Sequence, residues 1–238
     1  MLQKILKMNR DAQNAWRTRF GADISRPWNR FQAWLDMMIL DHGFLRVTWK
    51  NLHEIDDGVW RSNQPSPRQI RMLAEKHGIK TIINLRGSSA WGQYHLEHAT
   101  AADAGIRVID CRLFSRKPPT VAEIEQLFAT FEEAERPFLM HCKSGADRAG
   151  IASALYMLWK NRPPEEAAKQ LSWTYLHMKH AKTGMLDEFI EAYVIAHAAT
   201  GIGFKDWLHA EYDQRAMVRN FKASPIGNWV VDRLLMRE

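Results

Sequence analysis

The feature that most constrains the fold is the alternation of short apolar segments with helical patterns between residues 58 and 161. Strand-like segments bounded by glycine, proline or polar turns occur at 58–62, 81–87, 106–114 and 137–142. Helical patterns lie between and after them, at 66–78, 90–105, 120–135 and 147–161. Strands that alternate with helices predict a sheet built with crossover connections and covered on both faces. We therefore expect an α/β fold.

Helix-start signals support this prediction. Ser66 is an expected N-cap because Pro67 follows it, and Thr120 is another because Glu123 stands three residues later. Helical patterns continue towards both ends of the chain, at 2–20, 30–45, 164–178, 184–198, 203–219 and 226–237. Together they predict a basic amphipathic helical arm over 1–45, an α/β domain over 46–200, and a C-terminal helical extension over 201–238 packed on the core.

Composition limits the class of protein. Hydrophobic residues make up 46% of the 238 residues, so the chain can bury a sizeable core. Two cysteines cannot form the scaffold of a small disulfide-rich secreted protein. The N-terminal residues MLQKILKMNR lack the apolar core of a signal peptide. These features predict a cytoplasmic protein.

Positive charge is concentrated in the N-terminal arm. Residues 1–30 hold seven lysines and arginines against two aspartates, whereas the whole chain has a net charge of +6. Three interpretations follow. The arm packs on the domain with a solvated basic face, or it contacts an anionic membrane peripherally at the inner membrane face. Nucleic-acid binding is the least favoured, since no recognised nucleic-acid module accompanies the charge.

The segment Cys142-Lys143-Ser144-Gly145-Ala146-Asp147-Arg148 joins an expected strand to an expected helix. Backbone N–H groups of such a loop can surround an anion, and the following helix adds its positive end. The same field stabilises a thiolate, and an arginine can donate two parallel hydrogen bonds to phosphate oxygens. The pattern therefore favours phosphoryl transfer to Cys142, with Arg148 as phosphate clamp, Lys143 to Ala146 as binding backbone and His141 as an orienting hydrogen-bonder.

The segment HCKSGADRAG resembles the signature loop of cysteine-dependent protein tyrosine and dual-specificity phosphatases. With RSNQPSP (61–67) and NLRG (84–87) before it, the chain is similar to a bacterial branch of dual-specificity-like phosphatases over about residues 46–220. The resemblance implies a protein-tyrosine-phosphatase-like sheet in the domain over 46–200. It also implies nucleophile Cys142, phosphate-binding Arg148, and no metal or cofactor.

Two departures from this family pattern concern catalysis. Ala149 stands where many relatives have a serine or threonine that helps the thiolate leave. The loop FSRKPPT (114–120), where relatives carry the general acid, contains no Asp or Glu. Asp110 and Asp147 are the remaining candidates. Asp147 resembles an aspartate found directly before the arginine in myotubularin-type lipid phosphatases, and its reach to the leaving oxygen makes it the preferred one.

The substrate stays open between classes. The resemblance implies phosphorylated protein, of the phosphotyrosine or dual-specificity type. Lys143, Asp147 and the basic arm indicate a phosphorylated lipid or another polyanionic phosphate as the alternative. A non-catalytic phosphate-binding module is a third reading, because of Ala149 and the empty acid loop. Cys111 is expected in the core, with redox protection of Cys142 as the alternative. Arg61 and Arg86 are expected near the site or in ordinary structural roles.

Overall fold

The computed structural model describes residues 10–19, 23–179 and 182–221. These residues form two compact units, each made of segments that are discontinuous in sequence. The first unit contains the described residues up to Trp49 with 65–78 and 88–107, and the second contains 50–64, 79–87 and the described residues from 108 onwards. Residues 2–9 of the first expected helix and all of the expected helix 226–237 lie outside the described residues. The three-part division at 45 and 200 stays a prediction.

The first unit is helical. Its elements are α1 Arg10–Thr18, α2 Pro27–Leu35, a π-helix Asp36–Leu40, α3 Gly43–Thr48, α4 Pro67–His77 and α5 Gly92–Asp103. Helix α4 begins as expected, with a complete capping box between Ser66 and Gln69, and it ends at Gly78 with a φ of 61°. The single helix expected over 30–45 is interrupted, because the π-turn is followed by His42 in the left-handed region.

A buried arginine holds the first unit together. Arg17 Nε lies 2.6 Å from Asp36 Oδ1, and the guanidinium stacks 3.7 Å from the centroid of the Trp91 ring. Burial raises the pKa of Asp36 to about 6, although Arg17 opposes this increase. Arg17 belongs to the positive charge of the N-terminal arm in the sequence, yet in the structure it is an interior residue.

The surface of α2 carries three exposed aromatic side chains, which we call the aromatic ridge: Trp28, Phe31 and Trp34. They are 59%, 45% and 44% exposed. Neighbouring rings lie 5.6 and 6.3 Å apart between centroids, because positions three apart share one face of a helix. The opposite side of α2 contributes Ala33 to a buried cluster with Trp16 and Leu96. Helix α2 is therefore amphipathic, with an unusually apolar outer face.

The second unit contains a five-stranded sheet and six α-helices within its described residues. The strands are β1 His53–Asp56, β2 Val59–Asn63, β3 Thr81–Asn84, β4 Arg107–Asp110 and β5 Phe138–Cys142. The helices are α6 Val121–Glu133, α7 Asp147–Trp159, α8 Pro164–Ala168, α9 Met185–Thr200, α10 Phe204–Ala210 and α11 Gln214–Asn220. Short 3₁₀ turns cover Trp173–Tyr175 and Lys182–Gly184. The mixed α/β fold with a central sheet flanked by helices is confirmed.

Strand β5 is the centre of the sheet, whose order is β1-β2-β5-β3-β4. It runs parallel to β2 and β3, with Asn63 opposite Cys142 and Asn84 opposite His141. Strand β1, which the sequence pattern did not reveal, pairs antiparallel with β2. All five residues of β5 are buried, as expected for a central strand of a parallel sheet. The carboxyl ends of β2, β5 and β3 therefore meet at one edge.

Two expected helices are shorter than their patterns. The pattern over 164–178 yields only α8 and a 3₁₀ turn, because the chain turns at Leu176 with a φ of 63°. The pattern over 203–219 divides into α10 and α11, where Asp213 caps the new start by accepting from Ala216 N. Phe204 and Trp207 of α10 pack in the same core as Phe189 of α9. No helix in the described part of the chain is long and apolar enough to cross a membrane.

Candidate active site

Cys142 is the last residue of β5, at the edge where the parallel strands end. Cys142 is 2% exposed, and four residues separate it from α7, which begins at Asp147. Ala146 occupies the N-cap position and offers no side chain to the first-turn amides of α7. These amides carry the positive end of the helix dipole and are available to an anion. Lys143, Ser144 and Arg148 are half-buried at the same edge.

The carbonyl groups of the loop are held from the outside by donors from residues 51–64. The four contacts are Gln64 N to Lys143 O at 3.4 Å, Asn51 Nδ2 to Ser144 O at 3.1 Å, and Arg61 Nη2 to Gly145 O at 2.8 Å and Ala146 O at 3.2 Å. In a planar trans peptide the C=O and the following N–H point in opposite directions. Fixing carbonyls 143–146 outwards therefore directs the amides of residues 144–147 towards the other side, which makes a nest for an anion.

Gly145 is required by both conformation and space. Its φ is +75°, in the left-handed region that favours glycine. A Cβ at this position would lie 2.6 Å from the backbone N of Asn63 and 2.9 Å from Asn51 Nδ2. The loop consequently passes directly against the carboxyl end of β2, where its outside donors lie.

Asp147 belongs to a buried Asp–His–Asp cluster. Its Oδ1 lies 2.8 Å from His177 Nδ1, and His177 Nε2 lies 2.6 Å from Asp187 Oδ2 in the first turn of α9. Burial by itself lowers the pKa of His177, but its hydrogen bonds to the two carboxylates outweigh this effect and raise the pKa to about 9. At neutral pH His177 is therefore an imidazolium that donates to both carboxylates.

Asp110 lies at the same sheet edge, at the end of β4. It is half-buried, and its Oδ1 accepts a hydrogen bond of 2.8 Å from Asn84 Nδ2 at the end of β3. Since β3 separates β4 from β5, the backbones of Asp110 and Cys142 are roughly 10 Å apart. His141, expected to orient the nucleophile, is fully buried in β5 between Ser62 and Asn84.

Cys111 lies in the core, beside the side chain of Thr130. Burial raises the pKa of this thiol, although the Thr130 contact opposes the increase. Cys111 directly follows β4, which is two strand spacings away from β5 and Cys142. This separation exceeds the roughly 7 Å that a disulfide allows between Cα atoms, so a disulfide between the two cysteines requires movement of the backbone. Among residues 10–19, 23–179 and 182–221, no three His, Cys, Asp or Glu side chains are grouped to hold a metal ion.

Several site residues were missed by sequence reasoning. Asn51, Gln170 and His177 carry no local signal, because their partners are 93, 109 and 30 residues away along the chain. Arg61 was noted only as a residue that could flank the site. Its motif RSNQP gave its position in a strand but not its partners, which lie in the signature loop and at Gln170.

Comparison with known proteins agrees with the geometry. The family model described as "DSP-PTPase phosphatase fused to NAD+ Kinase" matches residues 48–188. The dual specificity protein phosphatase TpbA of Pseudomonas aeruginosa is 24% identical over 157 residues, which span 65% of each chain. TpbA from a second strain is 26% identical over 110 residues, which span 45% of this chain and 46% of that one. The chain thus aligns with less than two thirds of the length of these relatives.

The fold is similar to a solved structure as well. The crystal structure of P. aeruginosa TpbA superimposes with a TM-score of 0.50 at 19% identity, covering 63% of this chain and 91% of that chain. This likeness concerns the fold. The family match extends over more than half of the present chain, and on that basis the protein belongs to the DSP-PTPase phosphatase family.

Proposed function

We propose that the protein hydrolyses phosphate monoesters through a phosphocysteine on Cys142. The observation that carries this proposal is the position of Cys142 directly before a loop whose carbonyls are held outwards by Asn51, Arg61 and Gln64. In the first step the thiolate Sγ attacks phosphorus and the bond to the ester oxygen breaks, while an acid gives that oxygen a proton. In the second step water attacks phosphorus and gives a proton to the carboxylate formed in the first step, while the S–P bond breaks, so phosphate leaves and the thiolate is restored.

Arg148 and the loop amides are the proposed stabilisers of the transition state. Arg148 follows Asp147 in the first turn of α7, where a guanidinium can bind two equatorial phosphoryl oxygens in parallel. The amides of residues 144, 145 and 147 supply further donors in fixed positions, while the amide of Ala146 also donates to Ser144 Oγ at 3.4 Å. His141 is proposed to orient the nucleophile from its buried position in β5.

The proton donor is one of two carboxyl groups, Asp147 or Asp110. The sequence-based preference for Asp147 stays a prediction, and two observations oppose it. Asp147 is 3% exposed, and its Oδ1 accepts from His177, whose positive charge favours the ionised carboxylate. Asp110 lies half-buried at the edge that carries the loop, and it accepts a hydrogen bond from Asn84 Nδ2. We favour Asp110 as donor and assign Asp147 the role of anchoring the start of α7.

One experiment tests the mechanism and the donor. We would measure vanadate-sensitive hydrolysis of aryl phosphates with good and with poor leaving groups for the wild type, Cys142→Ser, Asp147→Asn and Asp110→Asn. Cys142→Ser is expected to abolish turnover. Asp110→Asn is expected to slow only the substrate with the poor leaving group, since a good leaving group needs no proton.

Each outcome of that experiment is informative. Turnover that survives Cys142→Ser excludes the phosphocysteine. A leaving-group-dependent loss in Asp147→Asn, with none in Asp110→Asn, returns the donor role to Asp147. A wild type that binds inorganic phosphate but turns over no ester favours the non-catalytic phosphate-binding module.

The proposed substrate class is phosphorylated protein of the phosphotyrosine or dual-specificity type. Its support is the name of the relatives, dual specificity protein phosphatase TpbA, which is 24% identical over 65% of this chain. Matched phosphopeptides that differ only in phosphotyrosine, phosphoserine or phosphothreonine test this class. A phosphatase that hydrolyses none of them at rates above a small aryl phosphate would not be a protein phosphatase of this type.

A second candidate, a lipid or another polyanionic phosphate, is favoured by the cations at the sheet edge. Arg86 stands two residues after β3, Arg112 two residues after β4, and Lys143 one residue after β5. Basic side chains that follow three neighbouring strands raise the positive potential at the carboxyl edge, which attracts substrates with several phosphates. Phosphate release from phosphoinositides, compared with a monophosphorylated peptide at equal concentration, distinguishes the two candidates.

A further inference from the structure

We propose that Arg61 is a positioning residue of the phosphate-binding loop and that its charge acts on the anions of the site through the loop. The proposal rests on the proposed function of Cys142 as the nucleophile. Arg61 lies in β2, opposite Met140 of β5. Met140 precedes the nucleophile, Cys142, by two residues in that strand. The side chain of Arg61 is fully buried, and it is among the largest side chains with no exposure.

The contacts of Arg61 fix its guanidinium at both ends. Nη2 donates to Gly145 O at 2.8 Å and to Ala146 O at 3.2 Å, so a single nitrogen fixes two consecutive peptides of the loop. Nη1 donates to Gln170 O at 2.8 Å and to Gln170 Oε1 at 3.0 Å. The plane also stacks on Tyr175, 3.8 Å from the ring centroid. A guanidinium held in this way cannot rotate without releasing the loop.

The space around Arg61 is shaped for this arrangement. At Gly150, in the first turns of α7, a Cβ would lie 3.4 Å from Arg61 Nη2, 3.0 Å from Gln170 O and 2.8 Å from Leu171 Cδ2. A glycine at this position lets α7 approach the arginine and its anchor closely. The loop, the helix that follows it and Gln170 are therefore packed around one side chain.

Asn51 completes the support of the loop. Its Nδ2 donates to Ser144 O and to the backbone carbonyl of Tyr175, both at 3.1 Å, which links the loop to the residue whose ring stacks on Arg61. Asn51 is 5% exposed and has a φ of 45°, a conformation that asparagine tolerates better than most residues. Arg61 and Asn51 together hold the carbonyls of residues 144–146, and hence the direction of the amides of 145–147.

Arg61 forms no direct ion pair with a carboxylate of the described residues. Every hydrogen bond that it donates within the described part of the chain ends on a carbonyl or amide oxygen. Burial lowers the pKa of Arg61 to about 10, while Tyr175, Cys142 and Asp147 oppose this change, so it stays protonated at neutral pH. A buried cation of this kind gains most from an anion, and the thiolate and the bound phosphate are the anions that the site supplies.

The test measures phosphate affinity and thiolate reactivity, neither of which needs turnover. We would compare the wild type, Arg61→Lys, Arg61→Gln and Asn51→Gly by titration with inorganic phosphate and with vanadate, and by the pH dependence of Cys142 alkylation by iodoacetamide. Arg17→Lys in the first unit is the matched control, since Arg17 is also buried over an aromatic ring.

The expected results separate orientation from charge. Arg61→Gln should weaken phosphate and vanadate binding about 10-fold or more and shift the alkylation profile of Cys142 to higher pH, because both the orienting donor and the charge are lost. Arg61→Lys and Asn51→Gly should weaken phosphate binding but shift the alkylation profile less, because they change no charge. Arg17→Lys should change neither quantity.

A purely structural role would give a different pattern. If Arg61→Lys and Asn51→Gly are folded but bind phosphate and vanadate as the wild type does, the proposal is overturned, whether or not Arg61→Gln folds. An unchanged alkylation profile in a folded Arg61→Gln overturns the part concerning charge. If the wild type binds phosphate but turns over no ester, and Arg61→Lys weakens that binding, the proposed catalytic function fails while the positioning role stands.

Discussion

The two compact units each bury an arginine against an aromatic ring, and they use it differently. In the first unit Arg17 stacks on Trp91 and pairs with the carboxylate of Asp36 at 2.6 Å. In the second unit Arg61 stacks on Tyr175, and among the described residues it donates to carbonyl and amide oxygens. In the first unit the charge of Arg17 is balanced by the carboxylate of Asp36. The charge of Arg61 is instead available to interact with the anions of the proposed site. Similar burial therefore accompanies a structural role in one unit and a proposed functional role in the other.

The largest expected effect on stability is that of Arg17→Gln. The substitution leaves the Asp36 carboxylate buried without its cation, which typically costs about 3–5 kcal/mol of unfolding free energy. The loss should be smaller at pH 5 than at pH 7.5, because the pKa of Asp36 is already raised to about 6 and protonation removes the buried charge. Urea denaturation at the two pH values measures both quantities.

The comparison of the two arginines also predicts what Arg17→Gln leaves unchanged. The turnover per folded molecule should equal that of the wild type, since Arg17 belongs to a complete ion pair. The double variant Arg17→Met with Asp36→Leu should regain most of the lost stability, as apolar replacements of buried ion pairs often do. A loss of turnover in folded Arg17→Gln would contradict the assignment of a purely structural role to Arg17 and a functional role to Arg61.

His177 is expected to make the second unit sensitive to high pH. Its pKa is raised from 6.5 to about 9 in the folded protein, so its contribution is fully present below pH 6.5 and is lost as pH rises through 9. The contribution corresponds to about 3 kcal/mol. Wild-type unfolding free energy should fall by that order between pH 6.5 and 9.5, and the fall should be absent in His177→Gln.

The control for His177 is Asp187→Asn, which keeps the contact to Asp147 and removes one carboxylate. It should reduce the pH-dependent fall without abolishing it. An identical fall in His177→Gln and the wild type would mean that another group titrates in this range.

Gly145→Ala should impair catalysis more than stability. Its Cβ would meet the Asn63 backbone at 2.6 Å, so the loop has to move away from its outside donors. Displacement of a positioning backbone by about 1 Å reduces the specificity constant kcat/KM about 100-fold. Gly201→Ala is the matched control, because Gly201 has a similar φ of +72° but open space around it, and it should lose about 1 kcal/mol of stability with unchanged kcat/KM. Equal kinetics for the two variants would contradict the proposed fit of the loop.

The smallest effect on stability is expected from the aromatic ridge. Trp28→Ser, Phe31→Ser and Trp34→Ser should each change the unfolding free energy by less than about 0.5 kcal/mol, since these side chains are largely exposed.

We propose that the ridge and the nearby basic residues Arg26 and Arg30 contact an anionic bilayer surface. The triple variant should sediment less with phosphatidylserine-containing vesicles than the wild type. Trp173→Ser, at a residue that is 66% exposed in the second unit, is the matched control. Equal sedimentation of the triple variant and the wild type would exclude the membrane contact.

Local patterns predicted several elements of both units. The apolar segments around Ile82, Val108 and Leu139 form strands, and the capping boxes at Ser66 and Thr120 are complete, because these features depend on neighbouring residues. Strand β1 was missed, since HEID has little apolar character and its place depends on pairing with β2. The pattern over 164–178 predicted a helix, but Tyr175 and His177 in this segment instead contact Arg61 and Asp147.

The parts of the site that are contiguous in sequence could be predicted, and the parts that depend on distant residues could not. The order strand, Cys142, glycine-containing loop, Arg148 and helix is contiguous in sequence, so its local geometry could be inferred. Partners of the loop carbonyls come from Asn51 and Arg61, which are 93 and 84 residues from the groups they bind. Asp147 is predicted as the acid from its reach and from its resemblance to the myotubularin-type aspartate, whereas its contact with His177, 30 residues away, could not be identified from the sequence.

The order of the strands has a consequence for how the chain is made. Strand β5 lies between β2 and β3, yet it is the last of the five to leave a ribosome. Until residue 142 has emerged, the sides of β2 and β3 that later pair with β5 are open edges, which can associate with other chains. The strand that carries Cys142, the proposed nucleophile, is therefore also the one that closes the sheet. Truncation before Phe138 should yield aggregation-prone fragments rather than a smaller folded domain.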